Sequence, residues 1–145
     1  VLHMLRAEMG DEAFWAAVRE YYKTYQNSNA LTSDLQKIAE KHAGKGLSTF
    51  FNQWLFKAGH PVIAGAWKYD KTSGSIEFEI SQNQDKTFDF PLEIGIYLEN
   101  QPLPIIEKVQ INKKSQKMSI PVSAKPIKII LDPNTNLLYE GGLSN

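Results

Sequence analysis

The sequence predicts an α+β chain: an N-terminal α-helical unit over residues 1–61, then an antiparallel β-sandwich over residues 62–145. Three observations carry this reading. Apolar residues recur at three- and four-residue spacing as far as Ala58, and at two-residue spacing from Val62 on. Between the two regimes stands Gly59-His60-Pro61, where a glycine and a proline together stop helical structure. Six or seven short apolar runs follow, separated by turn-forming clusters, as in a sandwich whose sheets each keep one wet face.

The first helix opens abruptly. Val1-Leu2-His3-Met4-Leu5-Arg6 has no capping residue ahead of its apolar run, so the chain reads as cut inside a helix or just after one begins, a processed mature N-terminus being the alternative. After Gly10, Asp11 is placed to cap a helix whose face is Phe14, Val18, Tyr21, Tyr22 and Tyr25. Asn27-Ser28-Asn29 ends it. Thr32 or Ser33 caps the next, with Gln36 as capping-box partner of Ser33. Its stripe is Leu35, Ile38 and Ala39 with His42, and Gly44 closes it. A last helix after Gly46 carries Leu47, Phe50, Phe51, Trp54 and Leu55 on one side. Leu2, Leu5, Met9, Phe14, Trp15 and Val18 exceed what a small helical pair covers. An apolar face left for a partner is the expectation, with the chain alone self-associating through this end or fraying there.

In the second half, Ile76, Phe78 and Ile80 alternate with Glu77, Glu79 and Ser81. Phe88, Phe90, Leu92, Ile94, Ile96 and Leu98 make a longer alternation, with Pro91 and Gly95 marking a bulge or a sheet edge. Shorter strands are predicted at 105–111, 118–122, 127–131 and 137–139. The turns between strands fall at 71–74, 82–86, 100–104, 112–115 and 132–134.

Composition narrows the function classes. At 42% hydrophobic and 22% charged, the chain has globular rather than disordered proportions. Residues 1–61 carry 7 basic and 6 acidic groups, and residues 62–145 carry 9 and 10. No one-signed surface follows, so neither nucleic acid nor an anionic membrane is a predicted partner. No apolar run approaches the roughly 18 residues of a membrane-spanning helix. Cysteine is absent, which removes disulfides, thiolate nucleophiles and cysteine-ligated zinc together.

The residues that invite a chemical role have simpler readings. His3, His42 and His60 are the only histidines, and none has a second ligand at helical spacing. His42 reads as a solvated helix end that favours the dipole. Ser28, Ser33 and Ser48 read as turn or cap residues, none within G-x-S-x-G. Glu77 and Glu79 share a strand face and read as a wet sheet surface rather than a glycosidase pair. Trp15, Trp54 and Trp67, with Tyr21, Tyr22, Tyr25 and Tyr69, read as packing residues rather than a sugar platform. Lys113, Lys114 and Lys117 read as a turn cluster. No catalytic, cofactor-binding or metal-ligating residue is assigned.

Several phrases fall in a familiar order. Val1-Leu2-His3-Met4-Leu5 precedes Gly10-Asp11-Glu12-Ala13-Phe14 and Tyr21-Tyr22, and then Asn29-Ala30-Leu31-Thr32-Ser33-Asp34-Leu35. Leu47-Ser48, Phe50-Phe51 and Gln53-Trp54-Leu55 lead to Gly59-His60-Pro61, a tryptophan helix ending in Gly-x-Pro. Ile80-Ser81-Gln82, Phe90-Pro91-Leu92 and Leu131-Asp132-Pro133 continue the series. In this order they resemble the C-terminal part of aminopeptidase N-like zinc metallopeptidases. The resemblance is stronger over residues 1–61 than over 62–139.

It implies the helical end of a thermolysin-like catalytic domain followed by a β-sandwich domain. It also implies zinc in the full-length parent, an upstream catalytic domain as partner, and peptide substrates reached through that domain. The family's H-E-x-x-H helix and its G-x-M-E-N strand do not occur here, so no catalytic role carries over and no cofactor is assigned to this chain. The alternative reading is a free-standing β-sandwich binding module for protein or carbohydrate.

Overall fold

The structure, a computed structural model, describes residues 1–99 and 101–144. It divides into two compact units, Val1–Ala58 and Gly59–Asn145. The fold is mixed α+β, with helices first and a sandwich of two sheets after them.

The first unit holds α1 (Leu2–Met9), α2 (Asp11–Tyr25), α3 (Thr32–Ala43) and α4 (Ser48–Phe51), the last running into a π-helical turn, Asn52–Phe56. Leu5, Phe14, Ala39, Leu47 and Phe51 form its core, with Met9, Val18, Leu35, Ala43 and Phe50 packed around them. Four of the six side chains thought too many for this unit therefore lie in or against its own core. Leu2 and Trp15 do stay exposed, Trp15 with the Arg6 guanidinium 5.5 Å from its ring centre.

Three local expectations fail here. Asp11 is the first residue of α2, not its cap. Its carboxylate grips Arg6 with both oxygens, at 2.8 and 2.7 Å, which bridges α1 to α2 across Gly10. In α3 the cap is Leu31: its amide donates to the Asp34 carboxylate at 2.9 Å, and its carbonyl accepts the Asp34 amide at 3.0 Å. Gln36, the expected box partner, donates instead to Glu40 and Ser48. Gly44 closes α3 as read from the sequence, its amide donating to the Glu40 carbonyl.

The third failure is the tryptophan helix. The wider π turn adds a residue to one loop of the spiral and rotates everything after it. Gln53 is buried as a result, while Leu55 and Phe56 face outward.

Among the described residues, the second unit has seven strands: β1 (Val62–Asp70), β2 (Ser75–Gln82), β3 (Phe90–Tyr97), β4 (Ile105–Ile111), β5 (Ser115–Pro121), β6 (Lys128–Leu131) and β7 (Glu140–Ser144). One sheet has the order β5-β2-β1-β7 and the other β4-β3-β6. Ile76, Phe78 and Ile80 of β2 and Phe90, Leu92, Ile94 and Ile96 of β3 are all buried, as the alternation requires.

Pro91 sits in a two-sided strand but escapes conflict, because β6 pairs with β3 only from Ile94 to Tyr97. Gly95 marks no bulge, since its register runs unbroken to Ile106 and Ile130. It makes room for the Pro133 ring, which would lie 3.1 Å from an added Cβ.

The last strand corrects both place and direction. Residues 137–139 are not a strand; the strand is Glu140–Ser144, and it runs parallel to β1 in an otherwise antiparallel sandwich. Asn100, where one predicted turn begins, lies outside the described residues.

Gly141 is the glycine that β7 requires. Its φ is 101°, and an added Cβ would lie 1.8 Å from the Ile63 carbonyl oxygen. Gly141→Ala is therefore expected to unpair β7. Strain of about 1–3 kcal/mol at such a residue corresponds to a roughly fivefold or greater loss of amide protection over 140–144. Hydrogen exchange followed by mass spectrometry, with β2 as internal control, checks this.

Candidate functional site

The sequence singled out histidines, carboxylates, serines and aromatics, and the structure scatters them. His3 is exposed on α1, His42 lies on α3, and His60 lies in the segment that leads into β1. Among the described residues, no three His, Cys, Asp or Glu side chains gather where one metal ion could sit. Three protein ligands converging at about 2 Å, the donor set of a zinc site, are not brought together among the described residues.

His42 is not a solvated helix end. Its Nε2 lies 2.7 Å from Glu20 Oε2 on α2, and Lys41 Nζ reaches both Glu20 oxygens at 2.8 Å. Lys41 first, then His42, holds the Glu20 carboxyl below the usual carboxylate range. The cluster ties α2 to α3 at the surface. Beside it, Glu40 accepts from Gln36, from the Leu47 amide at 2.8 Å and from Ser48 at 3.4 Å, and those bonds hold its pKa down too. Glu40 thus serves as the side-chain cap at the start of α4, while Ser48 is part of that network.

Glu77 and Glu79 do share a face of β2, but each has its own lysine. Lys68 on β1 lies 2.9 Å from Glu77, and Lys117 on β5 lies 3.6 Å from Glu79. Glu77 in turn raises the Lys68 pKa. The four charges form a ladder across three strands rather than two carboxyls converging on one bond. Lys117 therefore belongs to β5 and not to the Lys113-Lys114 turn. Ala66, Trp67, Phe78, Met118 and Ser119 complete the lining of a shallow concavity of about 520 Å³ at this place.

The aromatics are mostly packing residues. Tyr21 and Tyr25 are 5.3 Å apart, Phe50 and Trp54 6.5 Å, and Phe14 meets Trp15 edge-on at 5.3 Å. Tyr22, placed on the apolar face by its spacing, is 69% exposed.

Two structural residues were missed. Gln82 is fully buried and binds both the amide and the carbonyl of Phe88, at 2.9 and 2.8 Å, as well as Gln84. Its signal was present, because it continues the inward phase of Ile76, Phe78 and Ile80. Asp132 is buried at a positive φ of 48°, and its carboxylate accepts the amides of Asn136 and Leu137. Only the turn-forming Asp132-Pro133-Asn134 string hinted at that.

With this geometry in view, comparison with known proteins gives one class. No protein-family model matches the chain. Aminopeptidase N of Lactococcus lactis subsp. lactis is 33% identical over 87 residues, covering 59% of this chain and 10% of that protein. Probable aminopeptidase 2 of Sulfurisphaera tokodaii is 26% identical over 132 residues, covering 91% of this chain and 16% of that protein. In the crystal structure of Legionella pneumophila aminopeptidase A in complex with aspartic acid, a region superposes with a TM-score of 0.79 at 15% identity. It covers 99% of this chain and 17% of that one.

The class is thus that of the aminopeptidases, to a limited region of which this chain is similar. Within the class, the likeness is to proteins of the aminopeptidase N type. The chain spans between 10% and 16% of the first two relatives' length.

Proposed function

We propose that this chain is a non-catalytic C-terminal segment of a zinc-dependent aminopeptidase that removes N-terminal residues from peptides. Residues 1–61 complete the helical side of the catalytic domain, and residues 62–145 form the sandwich that buttresses it. The supporting observation is similarity that runs through both halves of the chain to proteins several times longer, all named as aminopeptidases. Zinc, in this reading, is held by the upstream catalytic domain, which is also the partner through which peptides are reached.

Two measurements test it. The coding sequence upstream of Val1 is expected to contain an in-frame H-E-x-x-H, and an unrelated domain there would overturn the proposal. The chain alone is expected to take up no zinc with sub-micromolar affinity in calorimetry and to release no product from an aminoacyl p-nitroanilide. A chain extended through the H-E-x-x-H segment is expected to do both, with activity abolished by a chelator and restored by zinc.

A further inference from the structure

β4 is the outer strand of its sheet, and one of its sides has no strand to pair with among the described residues. Which groups lie on that side follows from β3. The Glu93 and Tyr97 carbonyls accept the amides of Asp132 and Ile127, so the odd-numbered residues of β3 turn their backbone groups toward β6. Those at 90, 92, 94 and 96 therefore face β4, where they meet 111, 109, 107 and 105. The amides and carbonyls of Ile106, Lys108 and Gln110 are left pointing away from the sheet.

One side chain occupies part of this row. Gln116, on β5 of the other sheet, has the phase of the buried Ile120 and so reaches across toward β4. Its Nε2 donates to the Gln110 carbonyl at 2.9 Å, and its Oε1 accepts the Asn112 amide at 3.3 Å. A carboxamide thereby takes the place that the backbone of a paired strand would fill.

We propose that Gln116 guards the β4 edge against a second copy of this chain. Two copies related by a two-fold axis pair β4 with itself, antiparallel, about one central residue. Centred on Glu107 or Lys108, the pairing sets like charges directly opposite, which is destabilising. Centred on Ile106, it reaches back to Pro104, which has no amide to donate, and it ends at Lys108. Centred on Val109, it runs from 106 to 112, sets no like charges opposite, and uses every outward group of the strand. That register needs the Gln110 carbonyl and the Asn112 amide, the two groups that Gln116 holds, and so does any centre beyond it. Charge and Pro104 disfavour the other registers, and the glutamine closes this one.

The test uses the absence of cysteine, because a single introduced thiol can form a disulfide only with its own twin. Val109 would lie on the two-fold axis as a non-hydrogen-bonded pair, with Cα atoms about 4.5 Å apart and within disulfide reach. Val109→Cys in the full chain is expected to cross-link about tenfold faster when Gln116→Ala is added. Gln116→Ser, too short to hold both groups, should give the same gain, and amide protection of β3 checks that each variant keeps the sandwich. Lys71→Cys, in the turn between β1 and β2, should show no gain. Equal Val109→Cys rates with and without Gln116 would overturn the guard. So would an equal gain at Lys71→Cys, since the copies would then meet elsewhere.

Discussion

Truncating Phe51 to alanine is expected to melt the helical unit while leaving the strands folded. Phe51 is 1% exposed and belongs to the cluster with Leu5, Phe14, Ala39 and Leu47. Removing such a ring costs about 3–5 kcal/mol, through lost transfer energy and the cavity left behind. A unit of this size has roughly 3–9 kcal/mol in total, so the loss takes a large part of what holds it. Circular dichroism at 222 nm should show helix melting at a markedly lower temperature. Phe56→Ala makes the control, because Phe56 is 71% exposed and its truncation should leave the transition within a degree or two. If both variants melt alike, the core has been assigned to the wrong side of the π turn.

The second large effect is expected at Gln82. Leucine there keeps the volume but removes an amide that binds the Phe88 amide and carbonyl, the Lys113 carbonyl and Gln84. Buried backbone groups that lose such partners cost about 1–3 kcal/mol each. The sandwich is expected to lose about 2–4 kcal/mol, read as a lower urea midpoint with an unchanged slope. Gln82→Glu distinguishes bonding from packing: it keeps the acceptor but loses the donor, and its penalty should grow as the carboxylate ionises. A neutral Gln82→Leu result would mean that the 83–89 loop is held by its apolar contacts alone.

How much of this was legible depended on whether the signal was local and periodic. The alternation from Phe88 to Leu98 marked β3 because each inward residue meets a dry interior, and the switch of period at Gly59-His60-Pro61 marked the change from helices to strands. The resemblance carried by the Trp54 helix and Gly-x-Pro pointed to the right protein class. What failed was set by distant partners or by backbone geometry. Glu20 and His42 are separated by more than twenty residues and meet only because α2 packs on α3. Leu31 gives no sign of being a cap, since its amide is held by a carboxylate three residues on. Nothing in Asn52–Phe56 announces a π turn, which keeps the same residues and changes only their phase. The last strand reads at 137–139 instead of 140–144, because Gly141 carries no apolar signal and sits where the β1 backbone leaves no room for a side chain.

The parallel pairing of β7 with β1 has a consequence during synthesis. Val62 emerges from the ribosome about eighty residues before Glu140, the residue it faces in the ladder. Until then β1 has β2 on one side and an open row of amides and carbonyls on the other. The sandwich therefore closes last on the strand that was made first, and the late step joins positions far apart in the chain, which is slow in folding domains. A nascent chain stalled before Gly141 would display that unfilled edge to any extended segment nearby, and chaperone protection would matter most in that interval.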